Sequence, residues 1–222
     1  MEQLNYKCLI LDHDDTVVDS TAHVHYPAFL VALAELRPGC TISLEEYFRV
    51  NFHPGFIPYC RDVLHFTEAD FAREVEIWKD YVKEHIPTAY PGMARIIRRQ
   101  KEAGGLVCVV SHSFAYNIRR DYAANGLPEP DAIYGWELSP ERRKPDPWAL
   151  HQILERFALR QEEVLVVDDL KPGYDMARVA GVPFAAACWA YDVPEIRNFL
   201  EANCERSFKT PEALAQYLFG SE

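Results

Sequence analysis

Leu9-Ile10-Leu11-Asp12-His13-Asp14-Asp15-Thr16 is an apolar run that ends abruptly in acid. Charge at that point is costly unless a buried strand is ending there and the chain is entering a site. In open α/β sheets, ligands bind just beyond the carboxyl ends of the strands. Asp12 and Asp14 would then stand where chemistry is done. Two residues apart on a still-extended chain, their side chains fall on one side. One can attack while the other moves a proton, or both can approach one divalent cation. The alternative is a helix cap, with Asp14, Asp15 or Thr16 accepting the free N–H groups of a following helix.

Similar apolar runs recur at residues 106–110, 164–167 and 184–188, with a weaker one at 132–134. They are short and rich in Val, Leu, Cys and Ala, as strands covered on both faces are. Helical stripes separate them. Met93, Ile96 and Ile97 lead into Gln100 to Ala103, opposite Arg95, Arg98, Arg99 and Lys101, and Gly104-Gly105 ends the pattern. Leu150, Ile153, Leu154 and Phe157 repeat it after Pro147, which suits a first helical turn. Strand alternating with helix implies βαβ units and a parallel sheet.

The stretch from Ser20 to Pro87 breaks this rhythm and reads as several helices. Tyr26, Phe29, Leu30 and Leu33 form one apolar face. Thr67 with Asp70 forms a capping box in which Asp replaces the usual Glu or Gln. Phe71, Val75, Trp78 and Val82 follow at helical spacing, as the core of a small helical module. The prediction is an α/β, Rossmann-like parallel-sheet core, residues 1–18 and 88–222, interrupted by an all-α domain at 19–87.

The chain has 222 residues, 49% of them hydrophobic, enough for a sizeable core. Its 23 Lys and Arg against 34 Asp and Glu give a formal charge of −11. That argues against nucleic acid or an anionic membrane as the main partner, since both need a positive footprint. The six cysteines are scattered without a Cys-x-x-Cys pair, so neither a zinc site nor a disulfide framework is expected. Met1 to Lys7 lacks the apolar core of a signal peptide, and no run approaches membrane-spanning length. A reduced, cytoplasmic protein is expected, as monomer or homodimer.

Three more features fall at predicted strand ends. Ser111 follows the run at 106–110, Lys144 sits in Arg142-Arg143-Lys144-Pro145-Asp146-Pro147, and Asp168-Asp169 follow the run at 164–167. Singly, Ser111 or one of the paired acids can cap a helix, and Lys144 can be a solvated loop cation. Jointly they set carboxylates, a hydroxyl and an ammonium along one sheet edge. Four carboxylates there repel one another and call for a hard, oxygen-liganded cation such as Mg²⁺. Cation, lysine and hydroxyl together suit phosphoryl transfer, where negative oxygens must be neutralised. A carboxylate can act as nucleophile and a second one as proton carrier.

In this order the motifs resemble those of the haloacid dehalogenase (HAD) superfamily along nearly the whole chain. Asp12-His13-Asp14-Asp15-Thr16 is similar to the first motif, Ser111 to the second, Lys144-Pro145 to the third and Asp168-Asp169 to the fourth. Tyr90-Pro91-Gly92 is also typical. The resemblance implies Asp12 as nucleophile and metal ligand. It implies Asp14 as general acid/base that also touches the metal through its backbone carbonyl. Ser111 and Lys144 would bind the phosphoryl group, joined by His112, with Lys144 also balancing Asp12. Asp169 and Asp168 would complete the Mg²⁺ site, and Asp175 is either a supporting acid or a helix-surface residue.

Asp14 matches the phosphatase and phosphomutase branches and argues against a dehalogenase, which lacks this second acid; Thr16 leans toward phosphatase. The helical insert resembles the type 1 cap of members acting on small soluble substrates. Asp19 to His25 resembles the cap entry of β-phosphoglucomutase-like members, which makes His25 a candidate for coupling cap closure to the acid/base, or a packed histidine at the hinge. In Asn51-Phe52-His53-Pro54-Gly55-Phe56, His53, with Arg49 and Arg61, is a candidate substrate contact or an ordinary surface residue. The mutase specificity-loop pattern is missing, which favours hydrolysis. The expected function is a Mg²⁺-dependent phosphatase that hydrolyses a small phosphomonoester through an aspartyl-phosphate. The rivals are a sugar-phosphate mutase of the same fold and a non-catalytic, Mg²⁺-dependent phospho-acceptor or ligand-binding module.

Overall fold

A computed structural model describes residues 4–220. Met1 to Gln3, part of the polar N-terminal segment, and the last two residues of the expected core lie outside the described residues. In chain order the elements are β1 (Cys8–Leu11), β2 (Val18–Asp19), α1 (Tyr26–Leu36), α2 (Leu44–Phe52), α3 (Phe56–Asp62), α4 (Glu68–Glu84) and β3 (Thr88–Ala89). Then follow α5 (Met93–Glu102), β4 (Leu106–Val110), α6 (Ala115–Ala124), β5 (Ala132–Tyr134), α7 (Trp148–Arg156) and β6 (Val164–Asp168). The chain closes with α8 (Lys171–Ala180), β7 (Phe184–Ala187), α9 (Pro194–Asn203), β8 (Ser207–Phe208) and α10 (Pro211–Phe219).

Six strands form one sheet in the order β5-β4-β1-β6-β7-β8, every pair parallel. Leu9 sits opposite Val107 on one side and Leu165 on the other, so β1 is central. The pleat divides the buried residues between two layers. Leu9, Leu11, Val107, Val109, Leu165 and Val167 point to one cluster, completed by α5, α6 and α10. Cys8, Ile10, Cys108, Val110, Val164 and Val166 point to the other, under α7, α8 and α9. Burial on both faces explains why these strands are near-continuous apolar runs. From β1 the sheet proceeds to β4 on one side and to β6 on the other, which opens a crevice at the carboxyl ends of these strands.

The helical insert leaves through β2 and returns through β3, which pair antiparallel as Val18↔Ala89 and Asp19↔Thr88. A π-helical turn, Thr21–His25, starts it. Helices α1 to α4 enclose their own core of Phe29, Leu33, Ile42, Tyr47, Val50, Cys60, Leu64 and Phe66. The Thr67–Asp70 capping box forms as expected, with both reciprocal bonds to the backbone present. The expected stripes are partly wrong. Leu30 and Val75 are each 36% exposed, and on α4 the buried residues are Glu74, Ile77 and Val82. The buried line is thus rotated by about one residue, because α4 packs on α1 while Trp78 turns toward the core. Among the described residues no helix is long and apolar enough to cross a membrane.

Candidate active site

Strand β1 ends at Leu11, and the Asp12 amide still donates to the Val167 carbonyl of β6 at 2.9 Å. Asp12 is therefore held at the sheet edge by backbone bonding. Its Oδ1 accepts from the His13 amide at 2.8 Å and lies 3.0 Å from Lys144 Nζ. The same ammonium donates to Asp168 Oδ2 at 2.7 Å. Asp168 Oδ1 accepts from the Leu170 amide at 2.9 Å. Carboxylate oxygens of Asp12, Asp168 and Asp169 lie within 4.8 Å of one another, and all three residues are buried. Helix α8 begins against this group: a Cβ at Gly173 would come within 2.1 Å of Asp168 Oδ2, so only glycine allows that approach.

The electrostatics are those of a cation site. Burial pushes the Asp168 carboxyl up to about 6, against the pull of Lys144. Burial, together with the charges of Asp168, Asp15 and Asp12, pushes Asp169 well above the ordinary carboxylate range. Burial opposes the charge on Lys144, but Asp12 and Asp168 hold its pKa above the ordinary lysine value. One ammonium cannot balance three buried carboxylates, and an all-oxygen donor set suits Mg²⁺. The residues present fit a divalent cation.

Asp14 points elsewhere. Its Oδ1 accepts from Ser20 Oγ at 2.7 Å and from His25 Nε2 at 2.9 Å, and its Oδ2 accepts from Ser113 Oγ at 2.5 Å. Its side chain thus faces the insert rather than the carboxylate cluster, so the two acids do not share one direction as their spacing suggested. Burial alone would raise the Asp14 carboxyl, but His25, His13 and Ser113 together hold it well below the ordinary range. On the far side of His25, Trp78 Nε1 donates to Nδ1 at 3.0 Å. An indole N–H only donates, so Nδ1 is the acceptor and Nε2 carries the proton toward Asp14.

Ser111 and Asp168-Asp169 are not the side-chain N-caps of the helices that follow them, whereas Asp15 does bind a free N–H of the insert's first helical turn. The N-cap of α6 is Phe114 and that of α8 is Leu170, neither with a side-chain cap. Ser111, 4% exposed at the end of β4, accepts the Ser113 amide at 3.1 Å. The turn after Asp12 is stabilised instead by Asp15, in left-handed conformation at φ 57°, whose Oδ1 accepts from the Thr21 amide at 3.1 Å.

Other expected residues fall at different distances from this centre. The His112 ring is taken up by the Lys144 carbonyl, 3.0 Å from Nε2, and burial with the Lys144 charge pushes its pKa down to about 4. A neutral His112 props the Lys144 loop. His53 is exposed at the end of α2, where its amide donates to the Arg49 carbonyl, and its side chain makes no hydrogen bond or ion pair among the described residues. Arg49 pairs with Glu45, Glu46 and Glu195, Arg61 with Asp62, and Asp175 with Lys171. Ser20, Trp78, Ser113 and Tyr191 reach the site without having been singled out for it. Their only sequence signal is position, since Ser113 follows Ser111 by two and Tyr191 lies just beyond β7.

The chain matches a family model of haloacid dehalogenase-like hydrolases over residues 9–187. It is 27% identical over 134 residues to a phosphoglycolate phosphatase of Mesorhizobium japonicum, covering 59% of each chain. It is 31% identical over 119 residues to a phosphoglycolate phosphatase of Nitrosospira multiformis, covering 53% of this chain and 51% of that one. The chain thus spans little more than half the length of these curated relatives. A predicted phosphoglycolate phosphatase from Haemophilus somnus superposes with a TM-score of 0.78 at 18% identity, covering 96% of this chain and 98% of that one. CbbY from Rhodobacter sphaeroides, in complex with phosphate, superposes with a TM-score of 0.74 at 22% identity, covering 94% and 96%. At those identities the likeness is one of fold.

Proposed function

The chain belongs to the haloacid dehalogenase-like hydrolases, and on that premise we propose that it is a Mg²⁺-dependent phosphatase of small phosphomonoesters. The observation that carries this reading is the separation of the two acids: Asp12 lies with Lys144 and the buried carboxylates, while Asp14 lies with His25 and Ser113. In this reading Asp12, Asp168 and Asp169 hold the cation, with Asp14 offering its backbone carbonyl. When bound, the cation supplies positive charge to the phosphoryl oxygens and to the cluster.

The residues then divide the reaction. An Asp12 carboxylate oxygen attacks phosphorus and the ester P–O bond breaks, leaving an aspartyl-phosphate on Asp12. Lys144 and Ser111 steady the phosphoryl oxygens, and His112 keeps the Lys144 loop in place. Asp14 gives the leaving oxygen a proton. It later takes one from the water whose oxygen attacks the phosphoryl group and frees Asp12. As an ionised acceptor of three hydrogen bonds, Asp14 is in the form suited to the second, base-catalysed half. The first half requires it to leave one of those donors and take up a proton.

The helical insert, residues 19–87, acts as a cap over a core of 1–18 and 88–222, excluding bulk water from the crevice. The names of the curated relatives make 2-phosphoglycolate the first substrate to try. The insert's arginines are nevertheless committed: Arg37 to Asp70, Arg49 to Glu45, Arg61 to Asp62 and Arg73 to Glu35. Each already has a carboxylate partner, so the panel extends to neutral sugar and alcohol phosphates. All six cysteines are free thiols, which suits a reducing, cytoplasmic setting.

The experiment is phosphate release from such a panel, with Mg²⁺ and with EDTA. Turnover that needs Mg²⁺ and disappears in Asp12→Asn is expected. Full Mg²⁺-dependent turnover by Asp12→Asn would remove Asp12 as nucleophile. A phosphorylated isomer in place of free phosphate would identify a mutase. Stable labelling of Asp12 without turnover of any ester would leave a phospho-acceptor module.

A further inference from the structure

Asp169 is joined to the insert through a single intervening side chain. Its Oδ2 accepts from the Tyr191 hydroxyl at 3.0 Å, and that hydroxyl also lies 3.1 Å from the Asp169 carbonyl. Oδ1 accepts from Thr16 Oγ1 at a longer 3.3 Å. The phenol is thus the closer of the two donors holding this side chain. Tyr191 stands in the segment after β7, and its ring is stacked on Phe48 with centroids 4.0 Å apart and planes at 30°. Phe48 belongs to α2 of the insert, yet it is buried in the sheet-side cluster rather than in the insert's own core. Beside it, Phe52 meets Phe199 of α9 edge-on at 5.2 Å.

We propose that Tyr191 is a positioning residue for the divalent cation, aiming the Asp169 carboxylate, and that Phe48 holds it there only while α2 is seated on the core. The inference rests on the reading of Asp12, Asp168 and Asp169 as the cation site. Asp169 is buried among like charges, so without the Tyr191 donor its carboxylate turns away from the cluster. A hydrogen bond to one lone pair of each oxygen leaves the other free for a metal. Groups that orient metal ligands in this way commonly change affinity by about 10- to 100-fold when removed. Binding linkage is reciprocal: if seating α2 tightens cation binding, the cation must favour the seated insert to the same extent. This path lies apart from the Asp14–His25–Trp78 contact.

The test is Mn²⁺ titration by calorimetry on the full, substrate-free chain after removal of metal with EDTA. One ion is expected to bind the parent and to be lost in Asp169→Asn. Tyr191→Phe keeps the ring stack and lacks only the hydroxyl; it should bind Mn²⁺ about 10-fold more weakly with its melting temperature nearly unchanged. Phe48→Ala should also weaken binding, and the double variant should match Tyr191→Phe alone because both act through one hydroxyl. Phe48→Leu serves if Phe48→Ala does not fold. Mn²⁺ should slow amide exchange in α2 of the parent but not of Tyr191→Phe. Parent-like affinity in Tyr191→Phe overturns the positioning role. Parent-like affinity in both Phe48 variants, or additive losses in the double variant, overturns the link to the insert. A parent that binds no Mn²⁺, or an Asp169→Asn protein that binds it like the parent, overturns the cation reading and this inference with it.

Discussion

Glu74 is a buried acid with no visible partner for its side chain. It lies on α4, 6% exposed, its side chain making neither hydrogen bond nor ion pair among the described residues. Burial pushes its carboxyl up to about 7 from an ordinary 4.5. An acid whose pKa is raised on folding holds more protons folded than unfolded, so stability falls as pH rises from the unfolded to the folded value. Here that window runs from 4.5 to about 7. Below it both states are protonated and the residue is neutral; above it the full penalty applies. Glu74→Gln should therefore stabilise the protein by about 1–3 kcal/mol at pH 8 and by much less at pH 4.5. Urea unfolding of parent and variant at the two pH values measures the difference. An equal gain at both would mean that Glu74 does not titrate in this window.

At the scale of elements, the start of α8 decides how the carboxylate cluster is shaped. Its N-terminus carries no side-chain cap, and its first turn lies directly on Asp168. Gly173→Ala would force either the helix or the Asp168 carboxylate to move, which breaks the contact with Lys144. We expect a loss of about 1–3 kcal/mol from overpacking and a parallel fall in phosphate release. Melting temperature and turnover that both match the parent would show that α8 can shift without moving Asp168. The elements themselves were unequally legible. Strands β1, β4, β6 and β7 are nearly complete in the apolar runs, because a strand buried on both faces declares itself by composition alone. On α4, placing Val75 in the core and missing Glu74 reflects what periodicity cannot see, namely which flank of a two-sided helix meets its neighbour. Strands β2, β3 and β8 are two residues each, too short for any pattern. The site divides in the same way. Asp12, Ser111, Lys144 and Asp168-Asp169 stand out because each follows a strand. Trp78 and Ser113 matter only through contacts 53 and 99 residues away in the chain, which local sequence does not encode.

Across the whole molecule, the chain crosses between insert and core only at two short strands beside the site. The outgoing strand β2 is bonded to the turn that carries Asp14 and Asp15, since the Asp15 amide donates to the Val18 carbonyl at 2.8 Å. The returning strand β3 is held by Asn125 at the end of α6. The Asn125 Oδ1 accepts the Ala89 amide at 2.8 Å, and its Nδ2 donates to the carbonyls of Pro87 at 3.0 Å and Asp121 at 2.8 Å. Any rotation of the insert must pivot on these two short strands, so it pulls directly on the turn that carries Asp14 and Asp15. Asn125 fixes the pivot without touching a carboxylate of the site. Asn125→Ala should cost about 1–3 kcal/mol, because it removes the Ala89 amide's partner and two donors at once. It should also raise amide exchange at residues 87–90 and change kcat and KM together, the pattern of hinge residues remote from the chemistry. The carboxylate cluster is untouched, so Mn²⁺ affinity should fall far less than in Asp169→Asn. If exchange at 87–90 rises while kcat and KM both stay at parent values, the pivot does not govern turnover and cap motion is not transmitted through the Asp14 turn.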